Sequence, residues 1–215
     1  MTAITPRHVV LVGLMGSGKT TVGAIVARRL RLRFRDGDTL LEAETGRSAA
    51  AIRDRDGAEA LHRAEARILL EALGSDTPSV IAAAAAVVDD PACRAALRAP
   101  GVAVAWLRAD PAVLGRRFEV PTSGGVSHRP AYGDRPALFL AAQARRRAAR
   151  FAACRPVVVV DTGAVDPEEA ARQIEAALGT ATGGAAVEAA LGTASGLAAR
   201  QIQSRLGRAP GGAPR

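Results

Sequence analysis

LVGLMGSGKT, residues 11–20, ends one position past the only lysine in a 215-residue chain whose basic residues number 29, the rest being arginine. Gly13 to Thr20 satisfies G-x-x-x-x-G-K-[ST] in full. Before it stands HVVLV (8–12), short and rich in β-branched residues, which reads as a buried strand. After it comes TTVGAIVARRL (20–30), with apolar residues at helical spacing. A glycine-rich loop between strand and helix wraps backbone N–H groups closely round phosphate oxygens, and the helix N-terminus adds its positive end. The pattern assigns Gly13, Met15, Gly16, Ser17, Gly18, Lys19, Thr20 and Thr21 to a nucleotide site. Lys19 is expected at the β/γ-phosphates and the Thr20 hydroxyl at Mg²⁺. A slender ammonium fits the crowded loop where a forked guanidinium does not. Elsewhere the two cations exchange freely, and Arg has taken every other position.

Further segments alternate in kind. TLLEAETG and SAAAIRDRDG read as short helices closed by glycine, and AEALHRAEARILLEALG (58–74) as a longer helix with the same ending. SVIAAAAAVV (79–88), VAVAWL (102–107) and VVVV (157–160) carry strand-like runs. Asp90-Pro91, Asp110-Pro111 and Asp166-Pro167 each supply an N-cap followed by proline at the first helical position. The alternation implies an α/β fold, a parallel sheet with helices on both faces. EVPTSGGVSHRPAYGD (119–134) interrupts the pattern and reads as a lid-like surface loop. EAALGTATG (175–183) returns as EAALGTASG (188–196), so the chain divides into a domain over 1–178 and an Ala/Gly-rich, weakly ordered tail over 179–215.

Composition narrows the function. A formal charge of +8 is compatible with nucleic-acid binding, but the arginines are scattered and aromatics make up only 3%. Nucleotides explain local arginine clusters equally well. No apolar run is long enough to span a membrane, and neither Cys93 nor Cys154 belongs to a metal or disulfide pattern. The expectation is a monomeric cytoplasmic protein whose partners are small molecules.

From Leu11 to about Thr162 the motif order resembles the shikimate kinase family: GLMGSGKTTVG, FRDGD (34–38), LLEAETGRSAAAI, DDPACRAAL, VAVAWLRADP, HRP and the Arg-rich stretch before VVVVDT. The resemblance implies a P-loop NTPase fold of the nucleoside-monophosphate-kinase-like group, a five-stranded parallel sheet flanked by helices with a mobile lid. It also implies ATP-dependent phosphoryl transfer to a hydroxyl of a small carboxylated polyol. By position, Asp36 matches the aspartate near Mg²⁺ and Asp38 the one that holds the acceptor hydroxyl. Arg129 matches the catalytic lid arginine, preferred over Arg135 by its distance to the downstream arginine. Arg147 matches the residue that grips the acceptor's carboxylate, and Arg116 or Arg117 the one that stacks on adenine. Read without the resemblance, Asp38 is an N-cap of the following helix, and Arg145 to Arg147 a solvated face.

Two departures fall in the acceptor site. Leu61 and His62, followed by Arg63 and Glu65, stand where the family has phenylalanine and arginine, and Ala84, Ala85 and Ala86 replace a triple glycine. His62, Arg63 and Ala85 are carried as substrate-site candidates. The methyls are expected to crowd the acceptor and to strain any positive φ. Three readings follow: a shikimate kinase-like enzyme, a kinase for another polyol or hydroxy-acid, or a nucleotide-binding paralogue without catalysis.

Overall fold

The computed structural model describes residues 6–119 and 136–179. Residues 120–134 of the expected lid and 180–215 of the expected tail lie outside them. Five strands, β1 (His8–Val12), β2 (Arg33–Asp36), β3 (Ser79–Ala82), β4 (Val102–Arg108) and β5 (Val158–Asp161), form one sheet. Its order is β2-β3-β1-β4-β5, with every neighbouring pair parallel. The helices are α1 (Lys19–Leu30), α2 (Gly37–Thr45), α3 (Ala49–Asp56), α4 (Ala58–Gly74), α5 (Pro91–Ala96), α6 (Pro111–Glu119), α7 (Pro136–Ala153) and α8 over 167–179.

The two-residue period of β1 divides the core. Val10 and Val12 point to one face with Ile81 and Val104, and meet Ala66, Leu69 and Ala72 of α4 and Phe151 of α7. Val9 and Leu11 point to the other, against Val22, Val26 and Ala27 of α1 and Ala170, Ala171 and Ile174 of α8. Burial on both faces is why β1 is a continuous apolar run. Edge strand β2 (RFRD) accordingly tolerates charge. His8 is a polar member of the interior: Nε2 donates to the Ser75 carbonyl at 3.1 Å, which leaves Nδ1 to accept from the Ser79 hydroxyl at 3.0 Å.

All three Asp-Pro starts are capped, with Asp90, Asp110 and Asp166 accepting from the amides of Cys93, Ala112 and Glu169, each at 2.8 Å. Three local expectations change. α4 ends at Ser75 in extended backbone rather than at a left-handed Gly74, and SVIAAAAAVV stays in the sheet only to Ala82. Its partner β2 ends there, with Asp36 paired to Ala82, and the chain turns into a 3₁₀ helix at Ala85–Asp89. The third is the cap of α2: Asp36 provides it, not Asp38, because β2 stops at Asp36 and the helix begins at once, at Gly37. Among the described residues no helix is long and apolar enough to cross a membrane.

Candidate active site

Parallel strands bring their C-terminal ends to one edge, and the crevice lies where the order reverses around β1. The chain leaves β1 at Val12 and passes Gly13 so close to β4 that a Cβ there would strike the Leu107 carbonyl. Only glycine passes. The Ser17 amide donates to the Leu14 carbonyl at 3.2 Å, and α1 starts after Gly18. The Thr162 hydroxyl donates to the Ser17 carbonyl at 3.0 Å, and Arg117 donates from Nη1 to the Gly16 carbonyl, also at 3.0 Å. Arg117 Nη2 reaches the Thr162 carbonyl at 2.5 Å. The carbonyl side of the loop is thereby fastened to the end of β5. Met15 is half-buried in the loop, and Thr21 lies exposed in the first turn of α1.

Lys19 lies along this loop, its ammonium donating to the carbonyls of Gly13 at 3.1 Å and Leu14 at 3.0 Å. Burial pulls its pKa below the usual lysine value, while Asp38, then Asp36, then Glu65 act to raise it. One ammonium therefore stands among three carboxylates from α2, β2 and α4. Thr20 Oγ1 donates to Asp36 Oδ2 at 2.7 Å. The other oxygen of Asp36 accepts from the amides of Asp38 at 3.0 Å and Thr39 at 3.4 Å, capping α2. One carboxylate thus joins the phosphate loop to a second helix N-terminus, where negative charge is favoured. Gly37 lets β3 come close, since a Cβ there would stand 3.0 Å from the Ala82 carbonyl.

Helix α4 supplies the opposite wall. Leu61 is buried against Leu41 and Ile52, which puts His62 and Glu65, three residues apart, on a shared adjacent face. Glu65 Oε2 is buried without a hydrogen-bond partner. Burial, and next the negative charge of Asp38, push the carboxyl up to about 7, against the pull of Arg53, Arg147 and Lys19. His62 is half-buried, and burial, followed by Arg147, lowers its pKa, with Asp89 opposing. Arg147 of α7 is only 5% exposed. Its Nε and Nη2 both donate to Asp89 Oδ2, at 2.9 and 2.6 Å, and Nη1 to Gln143 at 2.6 Å. Arg150 holds Asp89 Oδ1 at 2.7 Å and Arg146 approaches Oδ2 at 3.3 Å. Burial works to lift the Asp89 pKa, but Arg147 and then Arg150 hold it below the usual carboxylate range.

The structure thus brings Lys19, Thr20, Asp36 and Asp38 together, with His62 and Arg147 in a linked charge group beside them. Arg63 does not join them: it turns outward to Glu59 at 2.6 Å, on the exposed face of α4. Of the two adenine candidates, Arg117 is committed to the loop and Thr162, and Arg116 is exposed. Ala85 opens the 3₁₀ helix that carries Asp89. Ala84 before it has φ −60° and ψ 149°, so the expected backbone strain is absent there and methyls fit this path. Arg129 lies outside the described residues. The sequence reading named Glu65 without carrying it as a site candidate, and passed over Asp89. Glu65 had a signal, its place one turn after His62; for Asp89, shared between a cap-like Asp-Asp-Pro and distant arginines, there was none.

A parallel sheet with a phosphate loop after its central strand, faced by acidic residues and a charged helical wall, defines a P-loop small-molecule kinase. A family model for shikimate kinase matches residues 15–178. The shikimate kinase of Aromatoleum aromaticum is 35% identical over 176 residues, spanning 79% of this chain and 93% of the relative. That of Symbiobacterium thermophilum is 41% identical over 123 residues, 57% of this chain and 68% of the relative. The structure of Acinetobacter baumannii shikimate kinase in complex with shikimate shares the fold, with a TM-score of 0.69 at 24% identity over 79% of this chain and 90% of that one. The chain belongs to the shikimate kinase family, small-molecule kinases that use ATP.

Proposed function

We propose that the chain transfers the γ-phosphoryl group of ATP to a hydroxyl of shikimate, giving shikimate 3-phosphate and ADP. The observation that carries this reading is the gathering of Asp38, Asp36 and Glu65 round Lys19, at the mouth of the phosphate loop and opposite the Arg147 wall. Such transfer needs charge neutralisation and an oriented nucleophile more than a strong base. Lys19 neutralises the terminal phosphates, exchanging the Gly13 and Leu14 carbonyls for phosphate oxygens. Asp38 orients the acceptor hydroxyl and takes its proton as the new O–P bond forms and the bond to the ADP oxygen breaks. Arg129 is assigned the transferring group from the lid, and Arg116 the adenine. The buried, unpartnered Ser17 hydroxyl and the loop round it suit an anion. Thr20 and Asp36 offer two hard oxygens side by side, a donor set suited to Mg²⁺, which takes one or two protein oxygens and completes its shell with phosphate and water. Bound there, Mg²⁺ supplies charge compensation for the phosphates.

One observation favours a second reading, in which the acceptor is another polyol or hydroxy-acid. Asp89 already holds the edge of Arg147 that best forks a carboxylate. A coupled assay of ADP release against shikimate, gluconate and related acids decides between them. Stimulation by shikimate alone supports the first reading, and stimulation by another acid alone replaces it with the second.

A further inference from the structure

If the acceptor is a carboxylate, a cation must receive it, and the obvious cations round the site are engaged. Arg147 gives Nε and Nη2 to Asp89 and Nη1 to Gln143; Arg150 and Arg146 share the same aspartate. Arg63 faces away with Glu59. His62 is driven toward its neutral form by burial and by Arg147. Among the described residues, one further guanidinium acts on the site. Arg53 lies on α3, whose inner face is set by Ile52, buried against Leu41, Leu61 and Ile68, and by Ala49 one turn earlier. Four residues after Ala49, Arg53 continues that face toward α4. It is half-buried, and among the described residues its guanidinium is committed to no ion pair. Its charge acts on both Glu65 and His62, the α4 residues that front the site. On the same helix, Arg55 points to solvent beside Asp56, 78% exposed.

We propose that Arg53 is a specificity-determining residue, the cation on α3 that receives the anionic group of the acceptor across the pocket from Lys19. This rests on the proposed function and extends it. The placement suits the chemistry. Glu65 holds an unpartnered oxygen and feels the charges of both Arg53 and Asp38, so an acceptor anchored at Arg53 through its acid group lays its hydroxyls along Glu65 toward Asp38. An uncommitted planar fork is the group that grips a carboxylate in two places.

The test pairs a variant with a change of ligand. Binding and turnover of shikimate and of its uncharged methyl ester are measured for the unaltered chain, Arg53→Gln and, as a control for lost charge, Arg55→Gln. Arg53→Gln is expected to weaken shikimate binding about 10- to 100-fold, the range for a hydrogen bond to a charged group. Ester binding and the KM for ATP should stay within about twofold of the unaltered chain, as should every value for Arg55→Gln. Equal losses on acid and ester, or no loss on either, overturn the inference. If the unaltered chain binds shikimate but does not phosphorylate it, the substrate assignment falls and the titration still decides Arg53. If it does not bind shikimate at all, both fall.

Discussion

The nucleotide half and the acceptor half of this site are built by opposite means. The first is one contiguous loop, Gly13 to Thr20, that passes β4 at Gly13 where no side chain fits and is fastened by Arg117 and Thr162. The second, as proposed, is built of side chains drawn from α2, α3, α4, the 3₁₀ helix and α7 and linked by charge: Asp38, Arg53, His62, Glu65, Asp89 and Arg147. A backbone site tolerates little change, because each glycine answers a steric demand. A charge network can be rewired one residue at a time.

The contrast can be tested from its strongest side downward. Lys19→Ala should lower turnover roughly 10²- to 10³-fold, the cost of removing one preorganised cationic donor, with an unchanged melting temperature; a variant within threefold of the parent would break the nucleotide half of the comparison. Arg147→Ala should raise the KM for the acceptor roughly tenfold and leave that for ATP nearly alone. It should also cost about 2 kcal/mol of stability in a urea titration, since Asp89 loses its nearest cation and keeps Arg150. Equal effects on both KM values would remove Arg147 from the acceptor half.

Asp36→Asn separates two duties of one side chain. Asparagine caps a helix as well as aspartate, so stability should shift by less than about 0.5 kcal/mol. The Mg²⁺ concentration for half-maximal rate should rise roughly tenfold, because a charged oxygen is lost. A melting shift without a change in Mg²⁺ demand would make Asp36 a cap only.

Glu65 gives the smallest effect, and its sign is definite. Its pKa, about 7 in the folded chain, lies above the ordinary carboxylate value of 4.5. The folded state therefore binds the extra proton between those limits, and stability falls as pH rises through that window. Glu65→Gln should abolish the fall and stabilise the chain at pH 8 by about 1 kcal/mol, allowing for partial contact with solvent. Parallel stability curves for the two proteins would place Glu65 in water.

Much of the fold was legible because its signals are local. The motif at 13–20, the apolar run of β1 and the Asp-Pro caps each act within a few residues, and the structure places them as expected. Ends of elements were less legible where a neighbour decides them. β3 leaves the sheet at Ala82 because β2 stops at Asp36, which no pattern in SVIAAAAAVV records. The acceptor site was the least legible. Arg63 and Arg147 look alike in sequence, yet one faces solvent with Glu59 and the other is buried on Asp89, 58 residues away. Helix rotation and long-range pairing decide that difference.

The central claim is phosphoryl transfer from the nucleotide held at Lys19 to a carboxylated acceptor held on the opposite wall. Phosphorus NMR of the protein with ATP, Mg²⁺ and shikimate tests it directly. The account expects a new phosphomonoester resonance that grows with ADP, requires both substrates and disappears with Lys19→Ala. ADP and inorganic phosphate appearing at the same rate with and without shikimate, and no new ester, would contradict it.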